Sequence, residues 1–142
     1  MSNVSFDSLS VGDEIPAVNK PAISRHTLAL YCGGSGDHNP IHVDSDFAKA
    51  AGMPDVFAHG MLSMAYLGQA LTGWVPQSAL RAYGVRFASI TWVGNEISCT
   101  GTVIEKFEEE GEKRVRLEVK AADQECDVKL IGCLLYTSDA AD

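Results

Sequence analysis

The stretch GMLSMAYLGQALTGW, residues 60–74, carries the longest helical pattern of the chain and decides its fold class. Its apolar side chains recur around most of the circumference of a helix: Met61, Leu62, Met64, Ala65, Leu67, Ala70 and Leu71. This distribution predicts a helix that is buried on nearly all sides. Pro76 follows, and because a helix does not continue through proline, the helix is expected to end before it.

On the C-terminal side of this helix, the pattern changes to strands. Four strand-like runs cover residues 82–93, 97–107, 113–122 and 127 onward, with turn-forming residues between them. Alternation is clearest where Val115, Leu117 and Val119 stand between charged residues, which is typical of a strand with one buried face. The helix and the meander of strands predict a single α+β domain, in which an antiparallel sheet wraps around the helix. Because edge strands favour pairing with a second copy, we expect a dimer.

Two shorter helices are predicted on the N-terminal side. Ser24 is a candidate N-cap for a helix over about residues 25–32. Asp44 is a candidate N-cap for a helix over residues 45–51. Between the two, Pro40 lacks an N–H and restricts the preceding residue to extended conformations, so the segment around it cannot form a regular helix.

The composition is that of a globular protein with one domain. With 142 residues, 46% of them hydrophobic and 21% charged, the chain can enclose a core. Nineteen acidic residues against eleven basic ones give a net charge of -8, which excludes a general nucleic-acid binder. The N-terminal residues show no signal-peptide pattern, and the apolar stretch 60–75 is too short to span a bilayer. Four cysteines without a CxxC pair are typical of reduced thiols, so we expect a cytoplasmic protein that binds no membrane.

The last residues, CLLYTSDAAD (133–142), resemble the in-frame translation of a transposase sequencing adapter. Segments of this kind are left out of fold analysis. The predicted domain therefore comprises residues 1–132, and residues 133–142 are predicted to be a foreign tail. The alternative is an ordinary final strand at residues 134–136, followed by an acidic end. The segment 133–136 is apolar enough to occupy the place of a last strand under either interpretation.

Ionisable residues and glycines concentrate between residues 31 and 63. Asp37 and His42 are separated by a segment that contains Asn39 and Pro40, and in a turned segment their spacing can direct both side chains into one cleft. A carboxylate beside an imidazole is a natural acid–base pair, because histidine titrates near neutral pH and burial tunes the carboxylate. Taken singly, Asp37 is typical of a turn and His42 of a hydrogen-bonded packing residue. The combination is what suggests catalysis.

Three other interpretations of this region are weaker. His38 and His42 have the spacing of metal ligands on a helix, but Pro40 opposes a helix there. No third ligand stands at a suitable spacing, so no metal site is predicted. The glycine-rich run 33–36 lacks the lysine of a phosphate-binding loop. Ser63 lacks the flanking glycines of a nucleophile elbow and is expected to face the packing or a ligand.

Gly60 begins the long helix, and two roles are open for it. Free N–H groups and the positive end of the helix dipole converge at a helix N-terminus, so the Gly60 N–H could stabilise a developing oxyanion. Equally, glycine could simply permit a tight turn after His59. The residues alone favour neither role.

Two stretches resemble a known family, the MaoC-like dehydratases, which include the R-specific enoyl-CoA hydratases. Residues 31–48, YCGGSGDHNPIHVDSDFA, resemble its hydratase motif, whose centre is Gly-Asp-x-Asn-Pro, an aliphatic residue and His. Residues 57–68, FAHGMLSMAYLG, resemble the second signature, at the start of the family's central helix. A weaker resemblance extends from residue 11 to about residue 132. It is nearest to the subunits that dehydrate 3-hydroxyacyl carrier-protein thioesters in mycobacterial-type fatty acid elongation.

The resemblance implies the hot-dog fold, a long helix wrapped by an antiparallel sheet, working as a dimer. It also implies a thioester of coenzyme A or acyl carrier protein as substrate. No metal is implied, and no cofactor beyond the coenzyme A or phosphopantetheine that the substrate carries. Asp37 and His42 would correspond to the family's catalytic dyad. Gly60 would correspond to its oxyanion donor, and Asn39 to the residue that orders the catalytic loop.

The function expected from this resemblance is reversible hydration of trans-2-enoyl thioesters to (R)-3-hydroxyacyl thioesters, which makes the protein a hydro-lyase. The residues expected to bind substrate are Asn39, His59, Ser63, Met61, Met64 and Tyr66. The last three would form apolar walls together with residues 87–92. The alternatives are a hot-dog acyl-thioesterase and a non-catalytic acyl-binding subunit of a heteromeric dehydratase.

Two features of the partners follow as expectations. The second subunit of the dimer is expected to be another copy of this chain, with an unlike subunit as the alternative. An acidic surface suits an acidic carrier protein poorly, but Arg81, Arg86 and Lys106 could provide a local basic patch.

Overall fold

The computed structural model describes residues 4–138, which form three helices and five strands. The helices are α1 (Arg25–Ser35), α2 (Ser45–Ala50) and α3 (Gly60–Trp74). The strands are β1 (Val18–Asn19), β2 (Leu80–Phe87), β3 (Ser98–Glu109), β4 (Glu112–Ala122) and β5 (Val128–Thr137). Single turns of 3-10 helix occupy Phe6–Ser8, Pro40–His42 and Gln77–Ala79. The predicted bounds of α3 are confirmed, and the four predicted strands are present with shifted ends.

All five strands form one antiparallel sheet, in the order β1-β3-β4-β5-β2. A tight turn joins β3 to β4 at Glu110 and Gly111, whose φ angles are 52° and 77°. Glycine adopts such an angle without steric cost, and this allows the chain to reverse there. Strand β2 pairs with β5 at the far side of the sheet, so β1 and β2 are its two edges. This arrangement confirms the predicted α+β class.

Helix α3 packs against β3, β4 and β5. Leu67, Ala70 and Leu71 are buried in the main core between this helix and the sheet. The opposite stripe of the helix is exposed: Met61, Ala65, Gln69, Thr72 and Gly73. The prediction of burial on nearly all sides is therefore wrong for the single chain, because the sheet covers only one side of the helix. No helix within residues 4–138 has both the length and the apolar character that crossing a membrane requires.

A second, smaller core holds α1 and α2 against the N-terminal half of α3. Its buried members are Ile23, Leu28, Ala48, Val56, Ala58 and Leu62. Both predicted N-caps are confirmed, since the side chain of Ser24 accepts from Thr27 N–H and that of Asp44 from two N–H groups at the start of α2. Helix α1 runs past its predicted end near Cys32, because Gly33 and Gly34 remain helical. Gly36 ends it with a left-handed φ of 78°.

The C-terminal segment 133–137 continues β5 without interruption. Leu134 is fully buried and Tyr136 is 2% exposed, because alternate residues of this strand face the main core. The predicted domain boundary after Gly132 therefore falls inside a strand. The adapter origin of residues 133–142 stays a prediction, and residues 139–142 lie outside the described part of the chain.

Candidate active site

The segment from Asp37 to His42 is a short loop that folds on itself. It leaves α1 through Gly36, and Asp37 N–H donates to the Ser35 hydroxyl at 3.1 Å. The Asp37 carboxylate accepts from Asn39 N–H at 3.2 Å. The Asn39 side-chain oxygen in turn accepts from Ile41 N–H at 3.1 Å and caps the 3-10 turn that ends at His42. These local bonds fix the loop that the sequence predicted to be non-helical.

The orientation of His42 is set by a main-chain carbonyl. Its Nδ1 lies 2.7 Å from Phe57 O. A carbonyl oxygen only accepts, so Nδ1 carries the proton and the lone pair of Nε2 is left free. His42 is 9% exposed, and its ring meets the Phe57 ring edge-on at 5.1 Å. Sequence analysis missed Phe57, because a main-chain carbonyl leaves no signal in residue type.

His59 packs directly behind His42. The two imidazole rings are stacked, with centroids 3.9 Å apart and an angle of 30° between their planes. His59 is 1% exposed, and its Nε2 lies 3.2 Å from Asp37 O and 3.4 Å from Cys32 Sγ. Burial lowers the pKa of His59, and the adjacent His42 lowers it further. The ring of Tyr31, the aromatic residue of the motif, meets that of His59 edge-on at 4.8 Å.

Asp37, His42 and His59 each bring one potential metal-ligating atom to this cluster, and the three atoms lie within 4.8 Å of one another. The spacing argument considered His38 instead, and it did not foresee that His59 would join the pair. One ring nitrogen of each histidine lies within hydrogen-bond distance of a main-chain carbonyl, His42 Nδ1 at Phe57 O and His59 Nε2 at Asp37 O. The absence of a metal requirement stays a prediction.

Gly60 is the first residue of α3, so its N–H has no partner within the helix. A Cβ at this position would lie 2.9 Å from two ring carbons of Phe87. Close packing against an aromatic ring is thus an additional reason for glycine here. It is compatible with both roles that the sequence left open, and the oxyanion role stays a prediction.

A pocket of about 380 Å³ opens beside the start of α3. Its walls include Gly60 and Ser63 from α3, Phe87 from β2, and residues 88–91. Ser63 is 1% exposed in the whole chain, and its hydroxyl lies 3.2 Å from that of Thr91. The pocket thus reaches the helix start. Asp37 and His42 are not among the residues that line it, although the ring of His42 contacts the lining residue Phe57.

The 88–91 wall is held by a buried lysine. Lys129 is 2% exposed, and its Nζ donates to Ile90 O at 2.9 Å and pairs with Asp127 at 2.6 Å. The Ser89 hydroxyl donates to the same carboxylate at 2.9 Å. The bond from Lys129, with that from Ser89, lowers the pKa of Asp127. These contacts fix the pocket wall to β5.

The three apolar residues expected to line the acyl site do not line this pocket. Met61 is 54% exposed on the outer face of α3. Met64 and Tyr66 are partly buried against the main core, and the Met64 carbonyl accepts from the Tyr83 hydroxyl at 2.9 Å. These positions do not test whether Met61, Met64 and Tyr66 bind substrate. The predicted substrate-binding roles of Asn39, His59 and Ser63 are also untested.

Two members of the expected basic patch are engaged elsewhere. Arg81 pairs with Glu112 at 2.8 Å, and Lys106 donates to Leu9 O at 2.6 Å. Arg86 lies next to Phe87 on β2 and is exposed. The three residues therefore do not offer three free charges to an acidic partner.

Sequence and structure comparisons relate the chain to known proteins. A sequence model of the family described as MaoC like domain matches residues 7–125. The chain is 41% identical over 90 residues to the 3-hydroxyacyl-thioester dehydratase X of Mycobacterium tuberculosis, covering 57% of this chain and 31% of that protein. It is 33% identical over 85 residues to the (R)-specific enoyl-CoA hydratase of Rhodospirillum rubrum, covering 57% of this chain and 58% of that protein.

Among solved structures, the unliganded R-hydratase PhaJ1 from Pseudomonas aeruginosa is similar, with a TM-score of 0.82 at 25% identity. This match covers 95% of the present chain and 86% of PhaJ1, and it confirms the hot-dog fold. The chain spans less than two thirds of the length of the curated relatives it matches. The matched region 7–125 includes the Asp37–His42 loop and all of α3, and this chain belongs to the MaoC like domain family.

Proposed function

We propose that this protein is a hydro-lyase that reversibly hydrates trans-2-enoyl thioesters to (R)-3-hydroxyacyl thioesters. The observation that supports this most directly is the approach of the Asp37 carboxylate and a His42 ring nitrogen to within 4.8 Å, beside the start of α3. Two polar atoms at this separation can both bond one water molecule. The names of the relatives, a dehydratase and an enoyl-CoA hydratase, agree with this chemistry.

In the hydration direction, water adds across the double bond of the enoyl thioester. The free Nε2 of His42 takes a proton from the water as its oxygen bonds to the β-carbon. The π electrons of the double bond move toward the thioester carbonyl, giving an enolate. The proton that His42 has taken up passes to the Asp37 carboxylate, which delivers it to the α-carbon as the carbonyl re-forms. One water molecule is thereby added, and both side chains return to their starting protonation states. Dehydration follows the same steps in reverse.

Negative charge develops on the thioester oxygen during this addition. The Gly60 N–H, at the positive end of α3, would donate to that oxygen. Phe57 holds the His42 ring through its carbonyl, so Nε2 is free without any rearrangement. In this mechanism the pocket beside Gly60 would receive the acyl group.

The decisive experiment replaces the two side chains separately. Asp37→Asn and His42→Ala should each lower turnover of crotonyl-CoA by about 10²–10⁴-fold, the usual contribution of a general acid or base. Loss of the enoyl-thioester absorbance measures the reaction. His38→Gln is the matched control, since His38 is exposed in the same loop and should retain normal turnover.

Three outcomes of this assay would count against the proposal. If either variant is folded and keeps near-normal turnover, the dyad is wrong. If the wild-type protein releases free thiol from acyl-CoA without hydrating enoyl-CoA, it is a thioesterase. If it does neither, but co-purifies with an unlike catalytic subunit, it is an acyl-binding subunit.

We also propose that no metal takes part, because the chemistry above needs only the side chains and the helix N–H. Treatment with EDTA should leave turnover unchanged, and added Zn²⁺ should not increase it. A loss of activity that Zn²⁺ restores would contradict this. Parallel assays with enoyl-CoA and enoyl carrier-protein thioesters of several chain lengths would define the substrate class.

The assembly that we propose is a homodimer. Within residues 4–138, the outer edge of β2 has no partner strand, and Phe87, its last residue, is 51% exposed. Light scattering should give a mass of two chains, where one chain has 15.2 kDa. A monomer in solution would contradict the homodimer, and a complex with an unlike chain would replace it by a heterodimer.

A further inference from the structure

We propose that His59 is a positioning residue, which holds the Asp37 loop and the His42 ring in place relative to the start of α3. The catalytic consequence of this role depends on the proposed hydratase function, but the structural role does not. This positioning role takes the place of direct substrate contact, which the sequence analysis expected of His59.

The first argument is the hydrogen bond to the Asp37 carbonyl. His59 Nε2 lies 3.2 Å from Asp37 O, and because a carbonyl only accepts, this nitrogen carries the proton. The bond spans 22 positions of the sequence and ties the catalytic loop to the residue before α3. Cys32 Sγ also lies close to this nitrogen, at 3.4 Å.

The second argument is the state of the ring. His59 Nδ1 is buried and has no hydrogen-bond partner among residues 4–138. Protonation would therefore create a buried N–H without an acceptor, directly against the His42 ring. Asp37 is the acidic group that faces His59, and its effect on the ring is smaller than that of burial. Burial and the unpartnered Nδ1 thus favour the neutral form of His59, with Nε2 donating and the ring stacked on His42.

The third argument is location. His59 is 1% exposed and does not line the pocket, so it has almost no surface to offer a substrate. It is, however, bonded in the chain to Gly60 and stacked on His42 at 3.9 Å. The side chain of His59 therefore contacts the Asp37 loop and the His42 ring, and its main chain leads directly into Gly60, whose N–H the mechanism uses.

The test compares two variants by hydrogen exchange and by kinetics. His59→Phe keeps a ring against His42 but cannot donate to Asp37 O. His59→Gln can place an amide N–H near the position of Nε2 but has no ring. The probes are the N–H groups of Asn39 and Ile41, which are bonded within the loop, and amides of β4 serve as the reference.

In His59→Phe we expect exchange at Asn39 and Ile41 to rise about tenfold, with β4 unchanged, because only the loop loses its anchor. We expect kcat to fall about tenfold and KM to change less than about twofold, since the reacting groups are misplaced while the pocket is intact. His59→Gln should keep more of the loop protection than His59→Phe. It should still lose kcat, because His42 lacks its stacking partner.

Unchanged exchange at Asn39 and Ile41 in His59→Phe would overturn the positioning role, whatever the activity. A rise in KM with normal kcat would assign substrate contact instead. If wild-type protein hydrates no enoyl thioester, the proposed function fails, and the exchange result alone still decides the role of His59. Should His59→Phe not fold, the comparison is made between His59→Gln and His59→Asn, whose shorter amide cannot reach the Asp37 carbonyl.

Discussion

At the first residue of α3, the proposed mechanism and the packing make two different demands. The proposed mechanism needs an unshielded N–H at Gly60, and the Phe87 ring leaves no room for a Cβ. Because Phe87 is 51% exposed, its ring can move aside at moderate cost. The N–H, which every residue except proline carries, can therefore be tested separately from the packing.

Gly60→Ala and Gly60→Pro form a matched pair for this test. Both add a Cβ toward Phe87, but only proline removes the N–H. Proline is favoured at the first position of a helix, and the preceding His59, with φ -56° and ψ 132°, already has the conformation that proline imposes on its neighbour. We expect Gly60→Pro to lower kcat about 10²-fold more than Gly60→Ala, the usual cost of losing one oxyanion donor. Equal kcat values for the two folded variants would exclude the Gly60 N–H from catalysis.

The sequence allowed some of these residues to be found and not others. Asp37 and His42 were predicted to meet, because they lie within one short loop whose proline forbids a helix. His59 was expected to bind substrate, a role that stays a prediction, but nothing in its spacing shows that the chain brings it behind His42. The Phe57 carbonyl could not be predicted at all, because every residue carries one. Local chemistry was visible in the sequence, whereas contacts between distant segments were not.

At the scale of elements, the pairing of β2 with β5 depends on a close approach of two backbones. A Cβ on Gly132 would lie 2.7 Å from Val85 Cα and would also meet Gly84 O. Backbone atoms cannot move aside as a side chain can. Within residues 4–138, a Cβ on Gly84, in the facing strand, would have no atom within 4 Å apart from those of Gly84 and its chain neighbours. Only one of these two glycines is therefore required by sterics.

We expect Gly132→Ala to destabilise the fold by about 1–3 kcal/mol or more, because it overpacks the junction of two strands. Gly84→Ala should be neutral, or stabilising by up to about 1 kcal/mol, since alanine loses less conformational entropy than glycine in a strand. Urea unfolding followed by circular dichroism measures both variants. Equal stability of the two variants would show that β2 and β5 do not approach as closely as described.

Helix α3 shows why burial is harder to predict than position. Its bounds followed from its apolar pattern and from Pro76, which are local signals. The extent of its burial depends on how many layers pack against it, and one sheet covers one side only. Met61 and Ala65 on the free side are apolar and exposed in the single chain. A dimer that covers this side would restore the burial that the pattern indicated.

At the scale of the whole molecule, stability should depend on pH in two separate ranges. Arg81 and Arg114 both bond to Glu112 and lower the pKa of its carboxyl from 4.5 to about 2. The contribution of this surface cluster is complete above pH 4.5 and is lost as the pH falls toward 2. His59 acts at higher pH. In the unfolded chain it takes up a proton near its ordinary pKa of 6.5, whereas in the folded protein its pKa is lower.

Because the unfolded chain binds this proton first, the contribution of His59 to the free energy of unfolding should be complete well above pH 6.5 and should be lost progressively as the pH falls below it. One proton gives a slope of at most about 1.4 kcal/mol per pH unit. Urea unfolding at about pH 8, 7, 6 and 5 measures this slope, with two pH values on each side of the ordinary histidine pKa. His59→Phe should flatten it, because phenylalanine binds no proton in either state. His26→Gln, at an exposed position of α1, should leave it unchanged. His42 is kept in all three proteins, so parallel curves for wild-type and His59→Phe would mean that His59 is not held neutral by the fold.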